Sequence, residues 1–309
     1  MPAKTIAVTG ATGFLGRYLV SRLHRDGASL RCWRRPTSDL DGFGSAADDI
    51  EWIPGALPDA EASRQLVEGC QAVVHAGLQR SGASFRDGEG DLVDYVETNL
   101  LGTIRLMEAA RAAGVERFIF ISTCAVHERI LDDRPLDEAH PLWPLTHYGA
   151  HKAAIEKFIH SYGFGHGFNV CSLRPTGIYG LARPATASKW YGLVAAVVKG
   201  ESVHCQRGGK EVHADDVAGA VATLLEADDI AGEAFSCYDQ YISEFEVATL
   251  ARELAGSSAE ILGEQRQPQH QIINDKLRSQ GATFGGQARL QETIGELIEA
   301  VRRTKTSGD

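Results

Sequence analysis

A tyrosine and a lysine four positions apart are the first residues in this sequence that could do chemistry, in the run Tyr148-Gly149-Ala150-His151-Lys152. On a helix, residues at this spacing share a face and can both reach into one cleft. A free phenol, with a pKa of about 10, is a poor acid or base near neutrality, but a neighbouring ammonium favours its phenolate. The spacing therefore predicts that Lys152 lowers the pKa of Tyr148. It also predicts that Tyr148 exchanges a proton with a substrate hydroxyl or carbonyl oxygen.

Two hydroxyl residues, Ser122 and Thr123, end a predicted strand ahead of this helix. A hydroxyl at that point can donate a hydrogen bond to the same substrate oxygen. Taken alone, Thr123 is better explained as a cap of the turn after the strand. The Tyr148 and Lys152 pair favours the second role, in which Thr123 orients the oxygen.

A glycine-rich turn, TGATGFLG, runs from Thr9 to Gly16 between the first predicted strand and the first predicted helix. Gly10 permits a tight turn, Gly13 lets the backbone approach a pyrophosphate, and Gly16 lets the helix pack on the sheet. This is the position of a dinucleotide fingerprint, although the spacing is G-x-x-G-x-x-G rather than G-x-G-x-x-G. The alternative is a glycine-rich turn without a ligand. With the Tyr148 and Lys152 pair, the turn predicts hydride transfer with NAD(P).

The end of the second predicted strand indicates which dinucleotide is preferred. An enzyme that uses NAD usually has an acidic residue here for the ribose 2'-hydroxyl, whereas this chain has Arg34 and Arg35. Guanidinium groups pair well with a 2'-phosphate, so the sequence predicts a preference for NADP over NAD. The alternative is a pair of solvated surface arginines.

The elements that must position these residues follow from the hydrophobic pattern. Short apolar, β-branched runs alternate with amphipathic stretches up to residue 175, which is typical of βα units and a parallel sheet. The predicted strands are 5–8, 29–33, 51–53, 72–75, 118–122 and 169–173, and the predicted helices of this part are 15–25, 95–113 and 148–162. Later helices are predicted at 190–199, 215–227, 243–254 and 290–303, with few strands.

This pattern predicts a Rossmann domain over 1–175 that binds NAD(P). It also predicts a smaller mixed substrate lobe over 176–309, with the chain crossing back to the sheet around 205–240. The loops 79–90 and 124–147 are long and have no regular pattern. Because such loops usually serve a site, we expect them to shape the substrate site.

Composition excludes several classes of protein. The 309 residues are 43% hydrophobic and carry a formal net charge of -10, which disfavours nucleic acid and anionic membranes as partners. No apolar run reaches the roughly 20 residues of a membrane helix, so we expect a cytoplasmic protein with a small-molecule substrate. The six cysteines lack metal-ligand spacing, and His147 and His151 lack a third ligand, so no metal is predicted.

Four further motifs agree in order and spacing with one family. They are VHAGL at 74–78, TNLLGT at 98–103, LRPTGIYG at 173–180 and VHADDVA at 212–218. With the glycine turn and the Tyr148 and Lys152 pair, the chain resembles the extended branch of the short-chain dehydrogenase/reductase superfamily, the NAD-dependent epimerase/dehydratase family. The resemblance covers nearly the whole chain. It implies an α/β fold with a Rossmann-type doubly wound parallel sheet of about seven strands, a smaller mixed C-terminal substrate lobe and often a homodimer.

The resemblance also implies roles for individual residues. Thr123, Tyr148 and Lys152 match the catalytic residues, and Lys152 also binds the nicotinamide ribose. Thr123, Tyr148 and Thr176 are the implied substrate-binding residues. The cofactor-binding residues expected from the turn, the arginine pair and the motifs are Gly10, Thr12, Gly13, Phe14, Leu15, Gly16, Arg34, Arg35, Leu57, Ala76, Gly77, Leu78, Asn99, Ser122, Tyr148, Lys152, Pro175 and Ile178.

Departures from the family pattern bear on which reaction and which substrate this chain is expected to have. Cys124-Ala125 stands where the 4,6-dehydratases have Asp-Glu, which disfavours dehydration. Gly177 replaces an asparagine, Ala56 replaces an aspartate that commonly contacts adenine, and 208–211 offers no clear arginine for a nucleotide-sugar diphosphate. A sugar, a lactone or another small hydroxy or keto compound therefore fits as well as a nucleotide sugar.

The sequence thus predicts an oxidoreductase or epimerase that moves hydride to or from a secondary alcohol or ketone carbon, with Tyr148 as acid/base. The alternative is an NAD(P)-binding regulator or redox sensor without chemistry. Relatives of that kind typically lack the Tyr-x-x-x-Lys pair, and this chain has it.

Overall fold

The computed structural model describes residues 4–82 and 88–306, so residues 83–87 of the predicted 79–90 loop lie outside the described residues. The strands are β1 Thr5–Thr9, β2 Ser29–Arg34, β3 Ile50–Pro54, β4 Ala72–His75, β5 Arg117–Ile121, β6 Val170–Pro175, β7 Gly177–Tyr179, β8 Val203–Cys205, β9 Gly208–His213, β10 Ala234–Cys237, β11 Gln240–Ser243 and β12 Ile261–Gly263. The helices are α1 Phe14–Arg25, α2 Ala60–Val67, α3 Leu92–Val96, α4 Gly102–Ala112, α5 His147–His160, α6 Tyr191–Val198, α7 Ala214–Glu226, α8 Glu244–Ala255, α9 Asp275–Ser279 and α10 Gly286–Thr306. Short π-helices, Glu97–Leu101 and Ser161–Gly165, follow α3 and α5.

Seven strands form one sheet in the order β10-β6-β5-β4-β1-β2-β3, and every neighbouring pair in it is parallel. All four residues of the central strand β4 are buried, as expected for a parallel sheet covered by helices on both faces. The predicted Rossmann-type α/β fold is confirmed. Because the strands are parallel, their carboxyl ends share one edge of the sheet, where ligands of such folds bind.

The first helix shows how local sequence produces this layer. Leu19, Val20 and Leu23 form the buried stripe of α1, at helical spacing. Basic residues fill the last turn, where they complement the helix dipole, and the chain leaves the helix through Gly27, whose φ is +86°. After Gly27 the chain continues into β2. This strand pairs in parallel with β1, with Ser29 opposite Thr5.

The chain divides into two compact units. Unit 1 contains the described residues up to Pro175, with Val217–Cys237 and Ile272–Ala282, and it holds the seven-stranded sheet. Unit 2 contains Thr176–Asp216, Tyr238–Gln271 and the described residues from Thr283 onwards. The sequence predicts a boundary at 175 and a crossing back to the sheet around 205–240. In the structure the chain passes between the two units after Pro175, Asp216, Cys237, Gln271 and Ala282.

Unit 2 is built on a three-stranded sheet, β11-β9-β7, and a two-stranded sheet, β12-β8. Its apolar core includes Val194, Val197, Ile242, Val247 and Ile294. The expectation of few strands after residue 175 is wrong, because β7 to β12 all lie there. These strands are three to six residues long, too short to produce a readable alternation in the sequence.

Candidate active site

The glycine-rich turn joins β1 to α1 at the carboxyl edge of the sheet. Gly10 has a φ of +72°, and a Cβ placed there would lie 2.8 Å from the carbonyl carbon of Ala76. A Cβ on Gly16 would lie 1.9 Å from the carbonyl oxygen of Gly10. Gly13 donates its N–H to that same oxygen at 3.0 Å and is the N-cap of α1, with no side-chain cap. Larger residues therefore cannot replace Gly10 or Gly16 without moving the backbone.

A buried histidine ties this turn to β4. Thr9 Oγ1 lies 2.6 Å from His75 Nδ1, and His75 Nε2 lies 2.9 Å from Thr103 Oγ1. Gly77 donates its N–H to Thr9 Oγ1, and Thr103 donates its hydroxyl to the carbonyl of Asn99. These two bonds fix the tautomer, so Thr9 donates to Nδ1 and the Nε2–H donates to Thr103. Burial, followed by a nearby positive charge, lowers the pKa of His75 to about 3, which keeps the ring neutral.

Asn99 lies in the π-helix between α3 and α4 and is 2% exposed. Its amide oxygen accepts the N–H of Gln79 at 2.8 Å, and its amide nitrogen donates to the carbonyls of Gln79 and Tyr95. One-turn π-helices often occur at functional sites because they redirect one side chain. Here the side-chain amide of Asn99 holds the backbone of Gln79, the residue that follows the Ala76-Gly77-Leu78 motif.

Arg34 and Arg35 lie at the carboxyl end of β2. With Pro36, Pro54, Gly55 and Ala56 they line a surface cavity, and none of these six lining residues is acidic. Ser38 connects this segment to the glycine turn, since its Oγ accepts the N–H of Arg35 at 2.9 Å and contacts Thr12 Oγ1 at 3.4 Å. The arginine segment and the glycine turn therefore belong to one local structure.

Arg17 has a structural role that the sequence did not reveal. It donates to the carbonyl oxygens of Asp39 and Asp41 and to the Asp39 carboxylate, and its guanidinium lies 4.6 Å from the centre of the Phe43 ring. The helix that follows the glycine turn thereby holds the loop that follows Arg35. The contacts join residues more than 20 positions apart, so no local sequence pattern indicates them.

The tyrosine helix α5 is fixed at its start. Its N-cap is Thr146, whose Oγ1 accepts the N–H of Gly149 at 3.1 Å. The carboxylate of Glu128 accepts the N–H groups of Leu145 and Thr146 and the hydroxyl of Thr146. These bonds order the end of the predicted 124–147 loop and set the direction in which α5 leaves it.

This arrangement brings the Thr123 hydroxyl near enough to the Tyr148 phenol to influence its pKa. Thr123 also accepts the N–H of Ala125 at 3.1 Å, so its hydroxyl both caps the turn after β5 and faces Tyr148. Burial raises the pKa of Tyr148, while hydrogen bonding to Thr123 and the charge of Arg80 act in the opposite direction. The net shift is upward, opposite to the predicted direction, because loss of solvation outweighs these two effects, and Lys152 is not among the groups that shift this pKa.

Lys152 lies one helical turn after Tyr148 and is 5% exposed. Its amine donates to the carbonyl of Ile121, the last residue of β5, at 2.7 Å and lies 4.4 Å from the centre of the Phe120 ring. Burial lowers the pKa of Lys152 to about 7, against the opposing effect of Glu156. Its charge therefore changes within the physiological pH range.

The side chains of Tyr95 and His151 form an aromatic pair next to Tyr148. The Tyr95 hydroxyl lies 2.9 Å from His151 Nδ1, and the His151 ring lies 5.6 Å from the Tyr148 ring. Burial lowers the pKa of His151 to about 2, so the ring is a neutral packing partner. Within 4–82 and 88–306, no group of three His, Cys, Asp or Glu side chains is arranged to hold a metal ion.

Most of the predicted site residues lie in unit 1. Those at or beside the carboxyl ends of its strands are Gly10, Thr12, Gly13, Phe14, Leu15, Gly16, Arg34, Arg35, Leu57, Ala76, Gly77, Leu78, Ser122, Thr123 and Pro175, and Asn99, Tyr148 and Lys152 are supplied by helices. Thr176 and Ile178 belong to unit 2, just before and within β7. The residues that were not predicted from the sequence are Arg17, Ser38, Arg80 and Glu156. Of these, only Glu156 had a spacing that could have revealed it, because it lies four residues after Lys152 on the same helix.

Comparison with known proteins identifies the class. The model of the NAD dependent epimerase/dehydratase family matches residues 6–237. The chain belongs to this family. Among its described residues, no helix is both long and apolar enough to cross a membrane.

Two curated relatives and one solved structure illustrate the similarity. The chain is 35% identical over 178 residues to a 4-hydroxy-2-methyl-3-oxo-4-farnesyl-3,4-dihydroquinoline-1-oxide ketoreductase of Stigmatella aurantiaca, covering 56% of this chain and 50% of the relative. It is 30% identical over 165 residues to a UDP-glucose 4-epimerase of Rhizobium leguminosarum bv. trifolii, covering 52% and 48%. The matches thus span about half the length of these relatives. The structure of Thermotoga maritima UDP-glucose 4-epimerase with UDP-glucose superposes with a TM-score of 0.77 at 21% identity, covering 97% of this chain and 99% of that one, which shows a shared fold.

Proposed function

We propose that this enzyme reduces a ketone carbon of a sugar, a nucleotide sugar or a related small hydroxy or keto compound by hydride transfer, and oxidises the matching secondary alcohol in reverse. The observation that carries the proposal is that the Thr123 hydroxyl faces the Tyr148 phenol, with the buried amine of Lys152 one turn further along α5. Two hydroxyl groups that face each other from different elements can both address one substrate oxygen.

The raised pKa of Tyr148 keeps its phenol protonated at neutral pH, which suits an acid in the direction of ketone reduction. When bound, the nicotinamide ring supplies the hydride that goes to the carbonyl carbon. Tyr148 gives its proton to the carbonyl oxygen, and Thr123 donates a hydrogen bond to the same oxygen. The positive charge of Lys152 stabilises the phenolate that remains, and its amine would hold the nicotinamide ribose.

The glycine turn supports a dinucleotide as the cofactor. Contacts of 2.8 Å and 1.9 Å with the backbone keep Gly10 and Gly16 as glycine so that the turn can pack. Gly13 caps α1 without a side chain, which leaves the N–H groups of its first turn accessible to a pyrophosphate. The residues present fit the group, and Gly10, Gly13 and the first turn of α1 would hold the pyrophosphate.

The cavity beside β2 supports NADP as the dinucleotide. Arg34 and Arg35 line it, and the Ser38 contacts tie it to the glycine turn. A 2'-phosphate there would meet two guanidinium groups and no carboxylate of the lining residues.

The substrate class follows from the departures in sequence and from the relatives. Cys124-Ala125 lacks the acidic pair of the dehydratases, so loss of water is disfavoured. One relative is named a ketoreductase and another a UDP-glucose 4-epimerase, and both reactions act on a secondary carbon that carries oxygen.

The experiment is a panel of sugars, nucleotide sugars and small ketones with NADPH, read by the absorbance of reduced nicotinamide and by product analysis. We expect at least one ketone to be reduced with consumption of one NADPH per product. In parallel assays with NADP⁺, conversion of a substrate to its epimer without net change of the cofactor would instead identify an epimerase. No conversion of any kind across the panel, with NADPH bound, would contradict the proposal.

A further inference from the structure

A buried ion pair lies next to the Lys152 helix turn. Arg174 at the end of β6 is 1% exposed and Glu156 of α5 is 0% exposed, and the guanidinium reaches both carboxylate oxygens, with Nε at 3.1 and 3.0 Å. Taking two charges out of water costs several kcal/mol per ion, and apolar replacements of such pairs are often as stable. Stability alone therefore does not explain this pair.

Glu156 has a further hydrogen-bond partner in the residue that directly follows β5. Ser122 donates its hydroxyl to the Glu156 carboxylate, and Ser122 precedes Thr123 directly. The carboxylate therefore fixes the short segment from which Thr123 reaches Tyr148. Arg174 in turn donates to His127 Nε2 and to the carbonyl of Glu138, so it anchors the pair to the 124–147 loop.

Glu156 also stands four residues after Lys152, on the same face of α5. The groups whose charges act on Lys152 come from several elements. Glu156 favours the ammonium, whereas His75 of β4 and His151 of α5 are neutral rings whose protonation Lys152 opposes. The cation of Arg174 contacts the Glu156 carboxylate, and the neutral ring of His127 contacts Arg174.

We propose that Glu156 is a positioning residue of the active site, which favours the charged form of the Lys152 side chain and holds Ser122 so that Thr123 faces Tyr148. The effect of Glu156 on catalysis rests on the proposed function. Its effects on the charge of the Lys152 amine and on the position of Ser122 do not depend on that function. A buried amine without a carboxylate nearby would lose its proton at a lower pH than it does here.

The direct test is the titration midpoint of the Lys152 amine, measured by NMR on protein labelled with ε-¹³C lysine. The Lys152 signal is assigned by its absence in Lys152→Met. In Glu156→Gln we expect the midpoint to fall by about one pH unit or more, because an opposite charge at this range shifts a pKa by that amount. In the control Glu226→Gln, where the lost carboxylate pairs with exposed Lys4, the Lys152 midpoint should not move. Equal midpoints in the native protein and Glu156→Gln would overturn the proposal.

If Glu156→Gln does not fold, Glu156→Asp serves in its place, because it keeps the charge and withdraws it by one methylene. A Lys152 midpoint below the native value is then expected, and an unchanged midpoint counts against the proposal. In the active enzyme, loss of kcat on the alkaline side should begin at lower pH in the variant while KM stays within about twofold. If no ketone is turned over, the proposed function fails, yet the NMR midpoint still decides the role of Glu156.

Discussion

The hydroxyl of Thr123, in the turn after β5, faces the phenol of Tyr148, in the first turn of α5. Hydrogen bonding to Thr123 lowers the pKa of Tyr148 against the upward effect of burial. The two hydroxyl groups thus act on one another before any substrate oxygen arrives.

Thr123→Val should lower kcat by about 10²-fold, the order of loss when one donor to a reacting oxygen is removed. It should also raise the pKa of Tyr148 further, because the bond that lowers it is gone. Steady-state kinetics of ketone reduction measure the first effect. Thr123→Ser, which keeps the hydroxyl, is the matched control and should retain most of the rate; equal losses in the two variants would exclude the hydroxyl as the cause.

Arg34→Ser combined with Arg35→Ser should raise the Kd for NADPH by about 10-fold or more and leave the Kd for NADH within about twofold, because charge-assisted bonds to a phosphate are lost. Fluorescence titration of the reduced dinucleotides measures both values. Arg64→Ser on α2 is the control, since that arginine pairs with Glu61 at the surface. A native protein that binds NADH more tightly than NADPH would refute the NADP assignment.

His127 should make stability depend on pH in the acid range. Its Nδ1 faces the carbonyl of Pro141 and its Nε2 accepts from Arg174, and burial followed by the Arg174 charge lowers its pKa to about 4. The folded pKa lies below the unfolded value of 6.5, so this contribution is complete above pH 6.5 and is lost as pH falls towards 4.

At pH 5 the loss from His127 amounts to about 2 kcal/mol relative to pH 7. Denaturant unfolding of native protein and His127→Gln at both pH values measures it, and the variant should show a smaller difference. His204→Gln, at an exposed position, should keep the native difference. A His127→Gln protein as pH-sensitive as the native one would disprove the assignment.

Gly16→Ala should destabilise the protein by about 1–3 kcal/mol and weaken dinucleotide binding, because its Cβ would lie 1.9 Å from the Gly10 carbonyl oxygen. Gly295→Ala is the matched control in α10, where a Cβ meets nothing within 4 Å. There the substitution should leave binding unchanged and stabilise the helix slightly. Thermal unfolding and dinucleotide titration of both variants test the prediction, which fails if Gly16→Ala matches Gly295→Ala.

The features that local sequence patterns encode could be predicted from the sequence. The glycine turn, the strands from β1 to β6 and the tyrosine helix each follow from spacing within a short segment, and the parallel sheet follows from their alternation. The predicted NADP preference, the substrate, the homodimer and the cytoplasmic location stay predictions.

Other features depend on contacts between distant segments and could not be read from the sequence. Ser38 joins the glycine turn to Arg35, and Arg174 reaches Glu156 across the core, through side chains that have no local signature. The direction of the Tyr148 pKa was missed for a related reason. It depends on how deeply the phenol is buried, which residue spacing does not specify.

The central claim, that Tyr148 gives its proton to the substrate oxygen as hydride arrives, is tested most directly by single-turnover reduction of a ketone by Tyr148→Phe with NADPH already bound. We expect a rate at least about 10²-fold below that of the native enzyme, with the Kd for NADPH within about twofold. A Tyr148→Phe enzyme that reduces the ketone at the native rate would contradict it.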